Sequence, residues 1–238
     1  IVSGIDHYAF AYAENLQSEG YLVSASEVGL VKVTGKSQIV RNAEELKTAV
    51  ANGGHITLGA DITVSEIVTL AKAITLDGAN HTLTSSANRA INVDCEGAVT
   101  IKNLTIATTY TDDEDRAINV INKAATLTLD NVSAEGFKYT INVAGSSVGS
   151  AITINGGSYS GYAAMNITGN STKVTANGTE FIGVNNYASG ASNAFAVVAF
   201  GAAAKGSTTD DVTVTITDSK LIAESEVNKQ YVVSMTYV

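Results

Sequence analysis

Apolar and polar residues alternate with a period of two along much of this chain, and the alternation recurs. AITLDG (Ala73–Gly78), AVTIKN (Ala98–Asn103), TLTLDN (Thr126–Asn131), AITING (Ala151–Gly156), KVTANG (Lys173–Gly178) and TVTITD (Thr213–Asp218) share one form. Each reads apolar, Thr, apolar, polar, then Gly, Asn or Asp. Their last residues (78, 103, 131, 156, 178, 218) step by 25, 28, 25, 22 and 40. Alternation closed by a turn-forming residue is the pattern of a half-buried strand. A second echo lies between the first ones: RAINV (Arg89–Val93), RAINV (Arg116–Val120), TINV (Thr140–Val143), AMNI (Ala164–Ile167) and AFAVV (Ala194–Val198).

Two or three short strands per period of about 25 residues leave no room for a crossover helix. The chain must coil, each turn laying its strands on those of the turn before, about 4.8 Å away. This predicts an all-β parallel solenoid whose units bury their apolar side chains only when stacked. Leu76, Ile101, Leu129 and Ile154 are expected in one interior row. Thr75, Thr100, Thr128, Thr153, Thr175 and Thr215 are expected in an outward column. A flat Thr array can order water as an ice-binding surface does. The next outward column (Asp77, Lys102, Asp130, Asn155, Asn177, Thr217) is mixed and charged, and Thr is favoured on any exposed strand. Asn92, Asn119, Asn142 and Asn166 form a column suited to a side-chain amide ladder, with Ala196 expected to interrupt it.

One segment reads as a helix, Asn42 to Val50. Asn42 is the N-cap, Glu45 its capping-box partner, and Leu46, Ala49 and Val50 an apolar stripe; Gly53-Gly54 ends it. It stands just before the first coil, where it would cover an open strand edge. Residues 1–39 lie outside the repeat and read as a β-hairpin, cap or remnant of an upstream module. There YLVSASEV and GLVKVTG alternate and meet at Gly29, while HYAFAYAENL fits strand or helix.

The run AEELKTAV…GGHITLGADI…AITLDGANHTL, followed by AVTIKNLTI, resembles the right-handed parallel β-helix of pectate-lyase-like proteins. It is similar above all to repeat regions of surface proteins from gut bacteria. The resemblance covers residues 40–238. It implies a single-stranded β-helix with a short N-terminal capping helix, at the cell surface or secreted. That fold carries lyases, hydrolases, adhesins and inert stalks, so the resemblance does not choose an activity.

Composition narrows the partners. The 238 residues are 45% hydrophobic and 16% charged, without Pro or Trp, enough for a large core. Fourteen basic against 23 acidic residues give a net charge of −9, which argues against nucleic acid or an anionic membrane as partner. Cys95 is the single cysteine, so neither a disulfide framework nor a cysteine metal site is expected. No apolar run reaches 18 residues and no signal-peptide pattern opens the chain. The abrupt apolar start and strand-like end read as a piece of a longer, multi-module chain.

Loops at equivalent places in successive coils stack into one surface. Those between the two echoes hold Tyr110, Tyr139, Tyr159, Tyr162 and Tyr187, with Asp112, Asp115 and Glu135 among them. Aromatic faces interleaved with carboxylates suit a sugar: rings to stack on, acceptors for hydroxyls. These residues are the candidate site, and an extracellular or host glycan the candidate partner. A hydrolase would need two carboxyls about 5.5 Å apart, or about 6.5–9.5 Å in an inverting enzyme, and Asp115 with Glu135 is the pair to consider. A lyase would want a cation and a base, a role for which DDED and Arg116 are the nearest fit. Arg116 is matched by Arg89 one turn earlier, which points to structure. No catalytic motif is present and no catalysis is expected; a lyase or hydrolase, or a plain spacer, are the alternatives. Cofactors are not expected, apart from calcium as an option at Asp112, Asp113 and Asp115, although DDED lacks EF-hand spacing. His55 and His81 fall at structural positions of the repeat.

Overall fold

In a computed structural model the chain is described at residues 7–10, 20–25, 30–111, 115–184, 195–201, 209–224 and 230–236. Among the described residues it is all-β with one helix, and eighteen strands belong to a single long, curled parallel sheet. Parallel pairing begins at Gln38, opposite Ile56.

Of the two or three strands expected per coil, the pairings show three, in three series. The first runs through Gly54–Leu58, Ile74–Asp77, the starts of Ala98–Thr108 and Thr126–Val143, Ala151–Asn155, Lys173–Asn177 and Thr213–Thr217. Its interior row is Ile56, Leu76, Ile101, Leu129, Ile154, Ala176 and Ile216, each paired with the next. The four members expected from the sequence are fully buried. The second series begins at Ile62–Val64 and carries Ile62, Leu83, Ile106, Ala134, Tyr159, Phe181 and Leu221. The third begins at Val68–Leu70 and carries Val68, Ile91, Ile118, Ile141, Met165, Val198 and Val233. All three rows feed one continuous apolar core.

The repeat ends in Gly, Asn or Asp for a conformational reason. Asn103, Asn131, Gly156, Gly178 and Asp218 take φ of 49°, 51°, 68°, 62° and 49°, the left-handed region that turns the chain from the first series into the second. In the earliest copy Ala79 and Asn80 take that role, one and two residues beyond Gly78. Gly157 is held more tightly: a Cβ there would stand 1.9 Å from the Val132 carbonyl oxygen, so glycine alone fits.

Polar columns bind neighbouring coils. The Asn142 amide donates to Asn119 Oδ1 at 2.7 Å, Asn166 to Asn142 at 2.7 Å, and Asn119 to Asn92 at 2.9 Å. The ladder stops at Ala199, which pairs with Asn166, and not at Ala196. The interior row dictates this: Val198 sits against Met165, which carries Ala199 to the Asn position. Beside the Thr column, Lys102 bridges to Asp77 at 3.0 Å and the Thr217 hydroxyl donates to Asn177 at 3.0 Å. His81 meets Asp61 at 3.2 Å, and the Thr82 amide donates to the same carboxyl at 2.9 Å. That amide, then His81, holds the Asp61 carboxyl below its ordinary pKa.

The helix spans Ala43–Asn52. Asn42 Oδ1 accepts from the Glu45 amide at 3.0 Å, and Glu45 Oε2 accepts from the Arg41 amide at 2.8 Å. Gly53 ends the helix at φ 78°, its amide donating to Ala49. Leu46, Ala49 and Val50 are buried. His7–Phe10, a strand, pairs antiparallel with Leu30–Lys36, as does Tyr21–Ala25. Gly29, the proposed hairpin tip, lies outside the described residues. Cys95 is buried and accepts from the Gly97 amide.

Replacing fully buried Leu129 by Ala should lower unfolding free energy by about 2–5 kcal/mol. Thr128→Ala, one residue away and outward, should cost less than about 1 kcal/mol. Denaturant unfolding of both variants checks the in/out assignment; equal losses would invert it.

Candidate functional site

The site grows from a bend. Asp115 opens the strand Arg116–Val120 and is 1% exposed. Its Oδ1 accepts from the Lys138 amide at 2.7 Å, and its carbonyl accepts from the Tyr139 amide at 3.2 Å. Asp115 thus holds the next coil in place from beneath. That coil needs holding, because its pairing slips between Ala134 and Phe137. The slip contains Glu135 and Gly136, both exposed, with Gly136 at φ 85°.

Past the slip, Arg116 pairs with Tyr139 and Tyr139 with Ala163. The Arg116 guanidinium lies 4.8 Å from the centre of the Tyr139 ring, and Lys138 Nζ lies 5.7 Å from it. Both distances are within cation–π range. Tyr162 adjoins this patch, 9% exposed. Burial raises its phenol above the ordinary value, the neighbouring Tyr139 adds to that, and Lys138 opposes it. Two cations thus lie against one half-buried ring, with the carboxylates of Asp115 and Glu135 on the same two coils.

Of the residues expected at the site, Tyr139 and Tyr162 come together, and Asp115 lies beneath them, buried, a correction to its expected contact with a ligand. Glu135 is exposed on the bulge of the same strand. Tyr110 is half-buried one coil earlier, its amide donating to Thr108 Oγ1 at 3.0 Å. Asp112 and Tyr187 lie outside the described residues, as does Asp113 of the calcium option. Among the described residues no group of three or more His, Cys, Asp or Glu is placed to hold a metal.

Tyr159 is a correction. It is fully buried in the second interior row and cannot meet a ligand at the surface. Its ring stacks on Phe181, centroids 5.7 Å apart and 22° between planes. The reason is packing: Ala134 is its neighbour on the coil before, and so small a side chain leaves room for a ring. Its hydroxyl has no hydrogen-bond partner, and burial, with a smaller push from the Asp130 carboxylate, raises the phenol far above its ordinary range. What the sequence reading did not anticipate are the contacts of Arg116 and Lys138, residues it had placed among these loops, with the Tyr139 ring. The spacing of 116 and 139, one coil apart, was the signal that could have found them.

No family model, curated protein or solved structure matches this chain.

An unpaired buried hydroxyl costs about 1–3 kcal/mol. Tyr159→Phe should therefore raise the unfolding free energy by about 1 kcal/mol, read by denaturant titration. A loss of that size would show the hydroxyl to be partnered.

Proposed function

We propose that this chain is a bacterial cell-surface or secreted display module that contacts a glycan through the patch Arg116, Lys138, Tyr139 and Tyr162. Its architecture, in this reading, is a right-handed parallel β-helix over residues 40–238, closed at its first coil by the helix Ala43–Asn52, with residues 1–39 as a separate unit. Three parallel series sharing one core support the helical coil. The contacts of Ala43–Asn52 with the strands Gln38–Val40, Gly54–Leu58, Ile62–Val64 and Val68–Leu70 support the cap. A lid there answers a physical need, since an uncovered first coil would present unpaired amides and apolar side chains.

The observation that carries the binding reading is the guanidinium of Arg116 over the ring of Tyr139. A ring offers an apolar face to the C–H side of a sugar, and the guanidinium and ammonium offer donors to its oxygens. Asp115 acts through its neighbours: with its carboxylate turned onto the Lys138 amide it fixes the position of the patch. Glu135, exposed beside it, is free to accept hydroxyl donors at the rim.

Screening against a glycan array, followed by calorimetry on the best-bound oligosaccharide, tests this. Tyr139→Ala should weaken binding by about tenfold or more, consistent with an aromatic anchor, while unfolding stays cooperative. Binding that survives both Tyr139→Ala and Arg116→Ala would remove the patch. Turnover of the bound glycan would replace display with catalysis.

A further inference from the structure

The seam between the antiparallel strands and the first coils holds a second cluster of polar side chains. The strand Leu30–Lys36 runs on through Ser37 into Gln38–Val40, where the parallel sheet begins. Ser37 is buried and pins the seam: its amide donates to the Gly20 carbonyl, and its hydroxyl lies 2.7 Å from that of Thr57. Beside this tie, Leu22 and Gly35 pair across one ladder step and form part of one wall of a cleft. The opposite wall is the outer face of the first series, with His55, Thr57, Thr75, Asp77 and Lys102. Gly35 has no side chain to fill the space between, and a volume of about 430 Å³ remains.

The lining is rich in donors and poor in acceptors. Asp77 is its one carboxylate, and that group already holds three donors. Oδ1 accepts from the Ala79 amide at 2.9 Å and from Asn103 Nδ2 at 3.2 Å, while Oδ2 pairs with Lys102 at 3.0 Å. Lys102 uses one of its three N–H groups there and keeps the others. Lys36, on the facing wall, has no carboxylate partner among the described residues. Its Nζ lies 4.7 Å from the centre of the Tyr21 ring, which is opposite it on the ladder and holds the ammonium without neutralising it. His55 and Thr75 are neighbours across one ladder step, and neither side chain has a hydrogen-bond partner among the described residues.

We propose that this cleft binds a small polar molecule bearing a carboxylate or a phosphate. Its anionic group is shared by Lys36 and Lys102, and its hydroxyls meet Thr75 and His55. Two ammonium groups against one satisfied carboxylate call for an acceptor-rich anion, whereas a cation would meet two lysines. The volume stands at the lower end of the range for small-molecule sites, which suits a single ring with its charged group. The two lysines come from opposite walls, so a bound anion also bridges the antiparallel strands to the coils. No residue is shared with the patch around Tyr139, and the two sites stand or fall separately.

Titration of the isotope-labelled full chain, followed by NMR in the millimolar range, tests this. The probes are glucuronate and inositol monophosphate, each against its uncharged parent ring, glucose or inositol. The amide signals of Ser37, Thr75 and Lys102 should shift with at least one anion, and the tighter of the two names the charged group. The uncharged rings should bind on the order of tenfold more weakly or worse. Lys36→Met and Lys102→Met should each weaken the anion by about tenfold or more. Lys36 is exposed, so its substitution should do this with unfolding unchanged. Absence of shifts with both anions overturns the proposal. So do shifts that gather at Tyr139 instead, uncharged rings that bind as well as the anions, or an affinity indifferent to both lysine substitutions.

Discussion

Everything in this molecule depends on coils lying in parallel register, so that residues about 25 positions apart share one hydrogen-bonded ladder. No coil holds its own fold. Leu129 is buried because Ile101 lies on one side of it and Ile154 on the other. The side-chain period of a strand is two, so a slip of one residue would send a whole row to solvent. Apolar rows set the register; the polar columns then reward it, the Asn92–Asn166 ladder being satisfied only when each amide meets the next.

That register explains the site as well as the core. Arg116 and Tyr139 are strangers in sequence and neighbours across one ladder step. The pairing slip at Glu135–Gly136 displaces the strand locally, and Asp115 secures it again through the amides of Lys138 and Tyr139. A rigid stack with one irregularity, at which charge and aromatic area gather, is how a repetitive scaffold acquires a distinct place on its surface.

Much of this was legible in the residues. The TxT-like alternation gave the first series and its Thr column, RAINV gave the third, and Asn42 with Glu45 gave the helix start. The second series was harder, because its strands are continuous with their neighbours in Ala98–Thr108 and Thr126–Val143 and no motif marks them. Yet a rule was present: three residues past the end of the repeat come Ile106, Ala134, Tyr159, Phe181 and Leu221, all inward. Applied to Tyr159, that count places it in the core; its phenol had suggested a rim. The Asn ladder's end was misjudged by three residues, at Ala196 for Ala199, because matching letters aligned AFAVV differently from its apolar row. The slip at Glu135–Gly136 left no trace in the alternation pattern. For the patch beside it, with Arg116 over Tyr139, the only signal was the one-coil spacing of 116 and 139.

Directed disulfide formation puts the central claim to its most direct test. Thr128 and Thr153 are paired across one ladder step, at the spacing of about 4.8 Å that a disulfide spans. Cysteines at 128 and 153 should link rapidly and intramolecularly under mild oxidation, with buried Cys95 left reduced. Cysteines at 128 and 154, on opposite faces, should not. Linkage of the 128–154 pair in preference to 128–153 would contradict the register on which the fold and the patch both rest.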